Sequence, residues 1–350
     1  MNFSDLKYLI AYIIPASGFA AVHYQGWMSY LTVIVAFVAL PIIEQIVPRS
    51  TDNYDKETAK SRSSQWIFDV LLFLNLPIII GLVLYLLITI QHSTPTLAEL
   101  IGIYLSVGIV LGACGINVAH ELGHKSPLQH RLAAQMLLMP CLYMHFYIEH
   151  NRGHHLHVAT LEDPATSRKD EMVYAFWFRS SIMSYIGAWK LEAKRLRYHE
   201  GIQKIISNQM LHFTLVQAIY LGAVLMFFGL KGLVAAISIG VISFLLLETI
   251  NYIEHYGLLR NKMPNGRYER VMPRHSWNSN HELGRIVLYE LTRHSDHHYL
   301  ANKKYQVLDH HDESPQLPLG YPASMLMALF PPVWFAVMNR KLERFKGIRD

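Results

Sequence analysis

Residues 233–257 read LVAAISIGVISFLLLETINYIEHYG, and this stretch combines the features that decide the fold and the chemistry. Its first part, residues 233–250, is apolar over nearly the length that a helix needs to cross a bilayer, which is about 20 residues. Asn251, Glu254 and His255 follow directly. The sequence therefore predicts metal-binding side chains at the end of a membrane span, and the same order recurs where the apolar run 97–118 precedes His120.

The composition indicates an integral membrane protein. Of the 350 residues, 52% are hydrophobic and only 16% are charged, whereas soluble domains carry about 25% charged residues. We predict an all-α membrane protein with six transmembrane helices, built as a single catalytic domain over residues 1–350. The predicted spans are 6–22, 27–47, 66–90, 97–118, 211–230 and 233–250.

The loops between these spans predict the orientation in the membrane. The connections 23–26, 91–96 and 231–232 contain one Lys and no Arg, whereas 119–210 and 251–350 contain 11 and 14 basic residues. Loops rich in Lys and Arg stay in the cytoplasm. We therefore expect both termini and a histidine-rich helical cap, formed by 119–210 and 251–350, on the cytoplasmic face of a bacterial inner membrane.

Two further apolar runs, 132–148 and 321–338, complicate the count. If 132–148 crossed the membrane, the histidines at 120–124 and 150–155 would lie on opposite faces. We therefore predict a half-buried or re-entrant helix for 132–148 and an interfacial helix for 321–338.

Nine histidines fall into four clusters at or just beyond predicted span ends. Neutral imidazole is the commonest metal-binding side chain, and spacings of three and four place side chains on one face of a helix. One ion takes three or four protein ligands, so nine candidates indicate two ions. The nine are His120, His124, His150, His154, His155, His255, His294, His297 and His298.

Two other classes of metal protein remain as alternatives. His120-Glu121-Leu-Gly-His124 matches the H-E-x-x-H helix of zinc proteases, in which the glutamate is the general base. An intramembrane zinc protease would use three protein ligands and leave most of the clustered histidines without a role. A haem-binding electron carrier would place its histidine pairs inside the spans rather than at their ends.

Several longer motifs carry a more specific likeness. The chain reads NYIEHYGL at 251–258, HELGHK at 120–125, IEHNRGHH at 148–155, DPATS at 163–167 and HSWNSNH at 275–281. These motifs resemble alkane 1-monooxygenase, a member of the membrane-bound histidine-rich diiron family that also contains fatty-acyl desaturases. The likeness covers residues 100–330 and, more weakly, the early spans.

The resemblance implies a non-haem centre of two iron ions held by the nine histidines. It also implies O2-dependent terminal hydroxylation of medium or long n-alkanes to 1-alkanols, with a fatty-acyl desaturase or hydroxylase of the same family as the alternative. Electrons would come from a rubredoxin that an NADH-dependent rubredoxin reductase reduces. A fused rubredoxin needs four cysteines, and this chain has only Cys114 and Cys141, so a separate donor is expected. We expect no nucleic-acid partner.

Acidic and basic residues near the clusters have predicted supporting roles. Glu121, Glu248, Glu254 and Asp296 could accept hydrogen bonds from ligand imidazoles, or form ordinary salt bridges. Six basic residues are candidates for docking an acidic electron donor, or for anchoring the protein at anionic lipid headgroups. They are Arg260, Lys262, Arg267, Arg270, Lys303 and Lys304.

Overall fold

The computed structural model describes residues 3–347, and regular structure in that range is helical, with isolated β-bridges only. The α-helices are Ile13–Tyr24, Leu31–Ile34, Leu40–Glu44, Lys56–Ser63, Ile67–Phe73, Asn75–His92, Leu97–Val110, Asn117–Gly123, Leu128–Leu138, Phe146–Glu149, His155–His157, Val173–Arg195, Gly201–Ile206, Gln209–His255, Glu282–Val287, His294–Tyr299, Tyr321–Ala328 and Pro331–Gly347. Shorter π- and 3-10 segments are Phe3–Tyr12, Gly26–Tyr30, Val35–Ala39, Leu111–Ile116, His150–His154, Pro273–His275 and Tyr305–Val307.

Five helical segments of the described chain are long and apolar enough to cross a membrane, which confirms an all-helical integral membrane protein. Four of them correspond to the first four predicted spans. The fifth contains both remaining predictions, 211–230 and 233–250. The five segments are Asp5–Tyr24, Gly26–Glu44, Ile67–His92, Leu97–Gly123 and Gln209–His255.

The fifth segment is interrupted at one residue. Gly229 has φ 60° and ψ −164°, a conformation that glycine adopts without the steric cost of a Cβ atom. The loop predicted at Lys231–Gly232 is therefore wrong by two or three residues, because both of these residues are helical. The second half also extends beyond the predicted end at residue 250, so that Asn251, Glu254 and His255 are carried on the spanning helix itself.

Proline interrupts both of the additional apolar runs. Helix Leu128–Leu138 ends just before Pro140, and Leu142 has a positive φ of 54° before the short helix Phe146–Glu149 begins. Residues 321–338 form two helices, Tyr321–Ala328 and Pro331–Gly347, that meet at 120°. Each run is therefore a broken rather than a continuous helix, because proline lacks an N–H and restricts the residue before it.

The chain divides into two compact units, and a single catalytic domain therefore stays a prediction. The first unit comprises Met1–Val38, Trp66–Arg152 and Ser184–Leu247, and the second comprises Ala39–Gln65, Gly153–Met183 and Glu248–Asp350.

Small residues allow the helices of the first unit to pack closely. A Cβ atom on Gly108 would lie 2.5 Å from Cγ2 of Ile242, and one on Gly112 would lie 2.6 Å from Leu246. Ser106 donates a hydrogen bond to the carbonyl of Ser29 at 2.7 Å. Close backbone approach and interhelical hydrogen bonds are the main sources of helix association in lipid, where the hydrophobic effect between helices is absent.

The second unit is built around buried aromatic rings. Trp277, Trp334, Tyr252 and Tyr256 are each at most 1% exposed. The indole N–H of Trp277 donates to the carbonyl of Tyr256 at 2.9 Å. These contacts fix the end of helix Gln209–His255, which carries the ligand candidate His255.

We expect Gly108→Ala to destabilise the first unit. The added methyl group would force Ile242 or the helix backbone to move, which typically costs about 1–3 kcal/mol. The measurement is the unfolding temperature of the purified protein in detergent. Gly222→Ala is the matched control, because its Cβ would meet no atom within 4 Å and alanine is the better helix former. Equal unfolding temperatures for the two variants would contradict this account of the packing.

Candidate metal centre

Three of the predicted ligands come together in the first unit. The ring centroids of His120 and His150 lie 4.4 Å apart, and His124 lies 5.1 Å from each of them. Nε2 of His124 and Nε2 of His150 are separated by 3.1 Å. Helix Asn117–Gly123 carries His120, and His124 follows its last residue, so this cluster lies at the end of the fourth spanning segment, as predicted.

The second cluster departs from the predicted α-helical spacing. His150–His154 is a π-helical segment, followed by the three-residue α-helix His155–His157. The α-helix predicted over 150–155 is therefore wrong in its first part. A second π segment, Leu111–Ile116, directly precedes the helix that carries His120. Such wide turns are rare and occur frequently at functional sites.

Four histidines form a buried group in the second unit. His154, His255, His294 and His298 each place one ring nitrogen within 4.8 Å of the other three. The Nε2–Nε2 separations are 3.1 Å for His154 and His298, 3.2 Å for His255 and His294, and 2.8 Å for His294 and His298. All four rings are at most 5% exposed. We call these residues the four-histidine group.

The donor chemistry of the four-histidine group fits a metal ion. Each neutral imidazole has one lone pair and one N–H. Burial and then the neighbouring histidines hold the pKa of His298 well below its ordinary value, so this ring is neutral near pH 7. Ring nitrogens about 3 Å apart are close enough for several imidazoles to bind the same ion. A transition-metal cation would be held by one lone pair from each of the four rings.

A histidine pair lies beside this group within the second unit. Nε2 of His155 and Nε2 of His297 are 3.2 Å apart. The ring of His155 also lies 4.6 Å from that of His298. Each of the nine predicted ligands thus has another of the nine as a close neighbour inside its own unit.

Asp163 is the carboxylate that the sequence analysis did not single out. Its Oδ2 accepts a hydrogen bond from Nδ1 of His154 at 3.0 Å. Burial alone would raise the pKa of Asp163, but His154 and the hydroxyl of Thr166 lower it below its ordinary value. The signal that could have revealed it was the polar segment 163–167 directly after the second histidine cluster.

The four predicted acidic residues have different surroundings. Oε2 of Glu254 lies 3.2 Å from Nε2 of His294, and its Oε1 accepts a hydrogen bond from Tyr321 at 2.8 Å. Glu121 lies 3.6 Å from Lys125. Glu248 is buried and lies about two helix turns before His255 on the same helix.

Asp296 holds a loop, although it lies between two ligand candidates in the sequence. Its carboxylate accepts hydrogen bonds from His311 at 2.6 Å and from the backbone N–H of Asp309 at 2.8 Å, and it pairs with Lys303 at 2.7 Å. These three contacts connect helix His294–Tyr299 to the chain that follows it.

Buried histidines converging at the ends of membrane spans define a class, the membrane proteins with a histidine-rich metal centre. The family model described as fatty acid desaturase matches residues 95–327. The chain is 39% identical over 325 residues to alkane 1-monooxygenase 2 of Pseudomonas aeruginosa, covering 92% of this chain and 86% of that protein. It is 36% identical over 335 residues to the alkane 1-monooxygenase of Ectopseudomonas oleovorans, covering 95% and 83%.

A more distant relative is the xylene/toluene monooxygenase hydroxylase component of Pseudomonas putida, which is 28% identical over 345 residues, covering 96% of this chain and 88% of that protein. The chain therefore belongs to the fatty acid desaturase family and, within it, to the alkane 1-monooxygenases. Membership identifies an oxidoreductase of the monooxygenase class.

We expect His255→Ala to lose most of the ion that the four-histidine group holds, because one of four converging donors is removed. Metal content per protein, measured by elemental analysis after purification, tests this. His157→Ala is the control, since His157 lies in the same stretch as His154 and His155 but pairs with the exposed Glu162 at 3.3 Å. Metal content that is unchanged by His255→Ala would refute the assignment.

Proposed function

We propose that the protein is an O2-dependent hydroxylase of the terminal methyl group of medium or long n-alkanes, with two non-haem iron ions. The observation that carries the proposal is the buried four-histidine group in a member of the alkane 1-monooxygenase family. One ion is assigned to that group. The second ion is assigned to predicted ligands outside that group.

The reaction explains why the site needs iron and little else. Protein side chains cannot break a methyl C–H bond, so the iron would supply the activation of O2 that this reaction needs. The protein must hold neutral imidazoles in place and keep water away. In the first unit, the buried ring of Phe146 stacks on His150 at a centroid distance of 4.7 Å. An alkane has no polar group, so apolar surfaces of this kind must bind it.

The location follows from the same proposal. Alkanes partition into the bilayer, so a site at the ends of the spans can take substrate directly from lipid. We place the protein in the bacterial inner membrane with the histidines facing the cytoplasm, because the connections 23–26 and 91–96 at the opposite ends of the spans contain no Lys or Arg.

The iron-loaded protein, supplied with a reduced donor and O2, should convert octane or hexadecane to the 1-alkanol. The alcohol should contain oxygen from isotopically labelled O2, because the oxygen atom comes from O2 rather than from water. Gas chromatography with mass spectrometry makes the measurement. An unsaturated product without label would favour the desaturase alternative. Zinc-dependent peptide cleavage that Glu121→Gln abolishes would favour the protease.

The electron donor is proposed to be a separate rubredoxin, reduced by an NADH-dependent rubredoxin reductase. Two of the six predicted docking residues have structural roles instead. Lys303 lies 2.7 Å from Asp296 and 2.5 Å from Asp309, and Lys304 donates to the carbonyl of Ser63 at 2.6 Å. Their ammonium groups bind their own chain, so they are poor candidates for contact with a partner.

The basic residues that remain available lie on a hairpin after His255. A β-bridge joins Lys262 and Tyr268, and the N–H of Met263 donates to the carbonyl of Arg267 at 2.7 Å. Lys262, Arg267 and Arg270 are exposed. Arg260 at its base donates to the carbonyl of Leu156 at 2.8 Å. The hairpin is thereby attached to the segment that carries His154 and His155, which makes it the preferred docking surface.

Charge reversal at Lys262 and Arg267 should slow turnover on the order of tenfold when donor is limiting at low salt, because opposite charges speed encounter. The difference should shrink at high salt, where the Debye length falls to about 3 Å. Turnover as a function of donor concentration measures it. Lys204→Glu, on an exposed helix, is the control for total charge. Lys303→Glu should instead lower iron content. Turnover that is insensitive both to salt and to the reversals would exclude this docking surface.

A further inference from the structure

The four-histidine group is asymmetric in how its outer ring nitrogens are held. Nδ1 of His154 donates to Asp163, whose side chain is fully buried. Nδ1 of His255 and Nδ1 of His298 are buried and have no hydrogen-bond partner among the described residues. His154 therefore has a charged hydrogen-bond acceptor at its outer ring nitrogen, whereas His255 and His298 do not.

A compact turn holds the Asp163 carboxylate through two hydrogen bonds in addition to that from His154. Oδ1 accepts the N–H of Ala165 at 3.1 Å, and Oδ2 accepts the hydroxyl of Thr166 at 2.6 Å. The same hydroxyl oxygen accepts the N–H of Ala159 at 2.9 Å. A carboxylate with this many donors is fixed in position before any ion binds.

The turn is also joined to the helix that carries His255. The hydroxyl of Ser167 donates to the carbonyl of Tyr252 at 2.7 Å, and the N–H of Gly257 donates to the carbonyl of Ser167 at 3.0 Å. The polar segment 163–167 thus connects two members of the four-histidine group, His154 through its ring and His255 through its backbone.

We propose that Asp163 is the positioning residue of the four-histidine group. Its carboxylate keeps the proton of His154 on Nδ1, so that the Nε2 lone pair faces His298 and the ion between them. The negative charge also makes this imidazole a stronger electron donor than the rings of His255 and His298. The inference rests on the proposed function, because it takes the group to hold iron.

The test is an anaerobic titration of metal-free protein with Fe²⁺ against a competing chelator. Loss of an acceptor behind a ligand histidine typically weakens metal binding roughly 10- to 100-fold, and we expect that loss for Asp163→Ala. Asp163→Asn should recover part of the affinity, because its amide oxygen still accepts from Nδ1. The visible absorption of the Co²⁺-loaded Asn variant should differ from that of the wild type, because a neutral amide leaves the imidazole a weaker donor.

Glu162→Gln is the matched control. Glu162 is the adjacent acid and also pairs with a histidine, His157, but on the exposed side of the segment. Its Fe²⁺ affinity and Co²⁺ spectrum should equal those of the wild type. Unfolding of the metal-free variants separates positioning from a structural role, since a role confined to folding would lower the stability of both Asp163 variants equally, with no recovery of affinity by Asn.

The outcomes distinguish this inference from the proposed function. Wild-type protein that binds no iron and forms no alcohol would refute the proposed function and the inference together. Wild-type protein that binds iron and hydroxylates octane, with Asp163 variants of unchanged affinity and spectrum, would refute the inference alone. Loss of affinity with partial recovery in Asn and a shifted Co²⁺ spectrum would support it.

Discussion

The convergence of four imidazoles, with pairs of ring nitrogens about 3 Å apart in a buried place, is the constraint on which the second unit depends. Where two lone pairs meet at this separation they repel each other, and burial removes the water that could hydrogen-bond to them. A cation turns the repulsion into attraction, but only if the rings already point inward. The contacts around the group therefore orient its rings. Asp163 accepts a hydrogen bond from His154, and Glu254, which Tyr321 holds, lies beside His294.

The membrane explains why histidines lie near the ends of spans in each unit. In lipid every backbone polar group must be satisfied within the helices, so histidines are most easily placed where a span leaves the hydrocarbon but remains helical. Leu97–Gly123 and Gln209–His255 both continue beyond their apolar stretches and carry His120 and His255 near their ends. The π segments Leu111–Ile116 and His150–His154 alter helix geometry locally while the backbone stays hydrogen-bonded, which adjusts side-chain direction at or next to the histidines.

The sequence predicts the spanning helices well because they depend on local pattern, and the same kind of pattern selects the ligand candidates, which stay predictions. Apolar length specified the spans, and the spacing of His120 and His124 indicated a shared helix face. What it missed depended on contacts between distant residues or on backbone detail. The amino-acid sequence of His150–His154 does not distinguish its π-helical geometry from that of an α-helix. The role of Asp163 requires a turn that brings it back to His154. Proline at residues 140 and 331 breaks two apolar runs whose length alone is typical of a single helix.

The contacts of the basic residues indicate which of them can bind a partner, and their number does not. Lys303 and Lys304 are neighbours of the fourth histidine cluster and add to the basic total of the cytoplasmic regions, as Lys262 and Arg267 do. These four basic side chains differ in their contacts. Lys303 pairs with two carboxylates, and Lys304 donates a hydrogen bond to a backbone carbonyl. Lys262 and Arg267 lie exposed on a hairpin. The two carboxylates beside Lys303 cancel its field at long range, and the carbonyl of Ser63 directs the ammonium group of Lys304 to its own chain. Of these four basic residues, Lys262 and Arg267 on the hairpin after His255 are therefore the ones available to a partner.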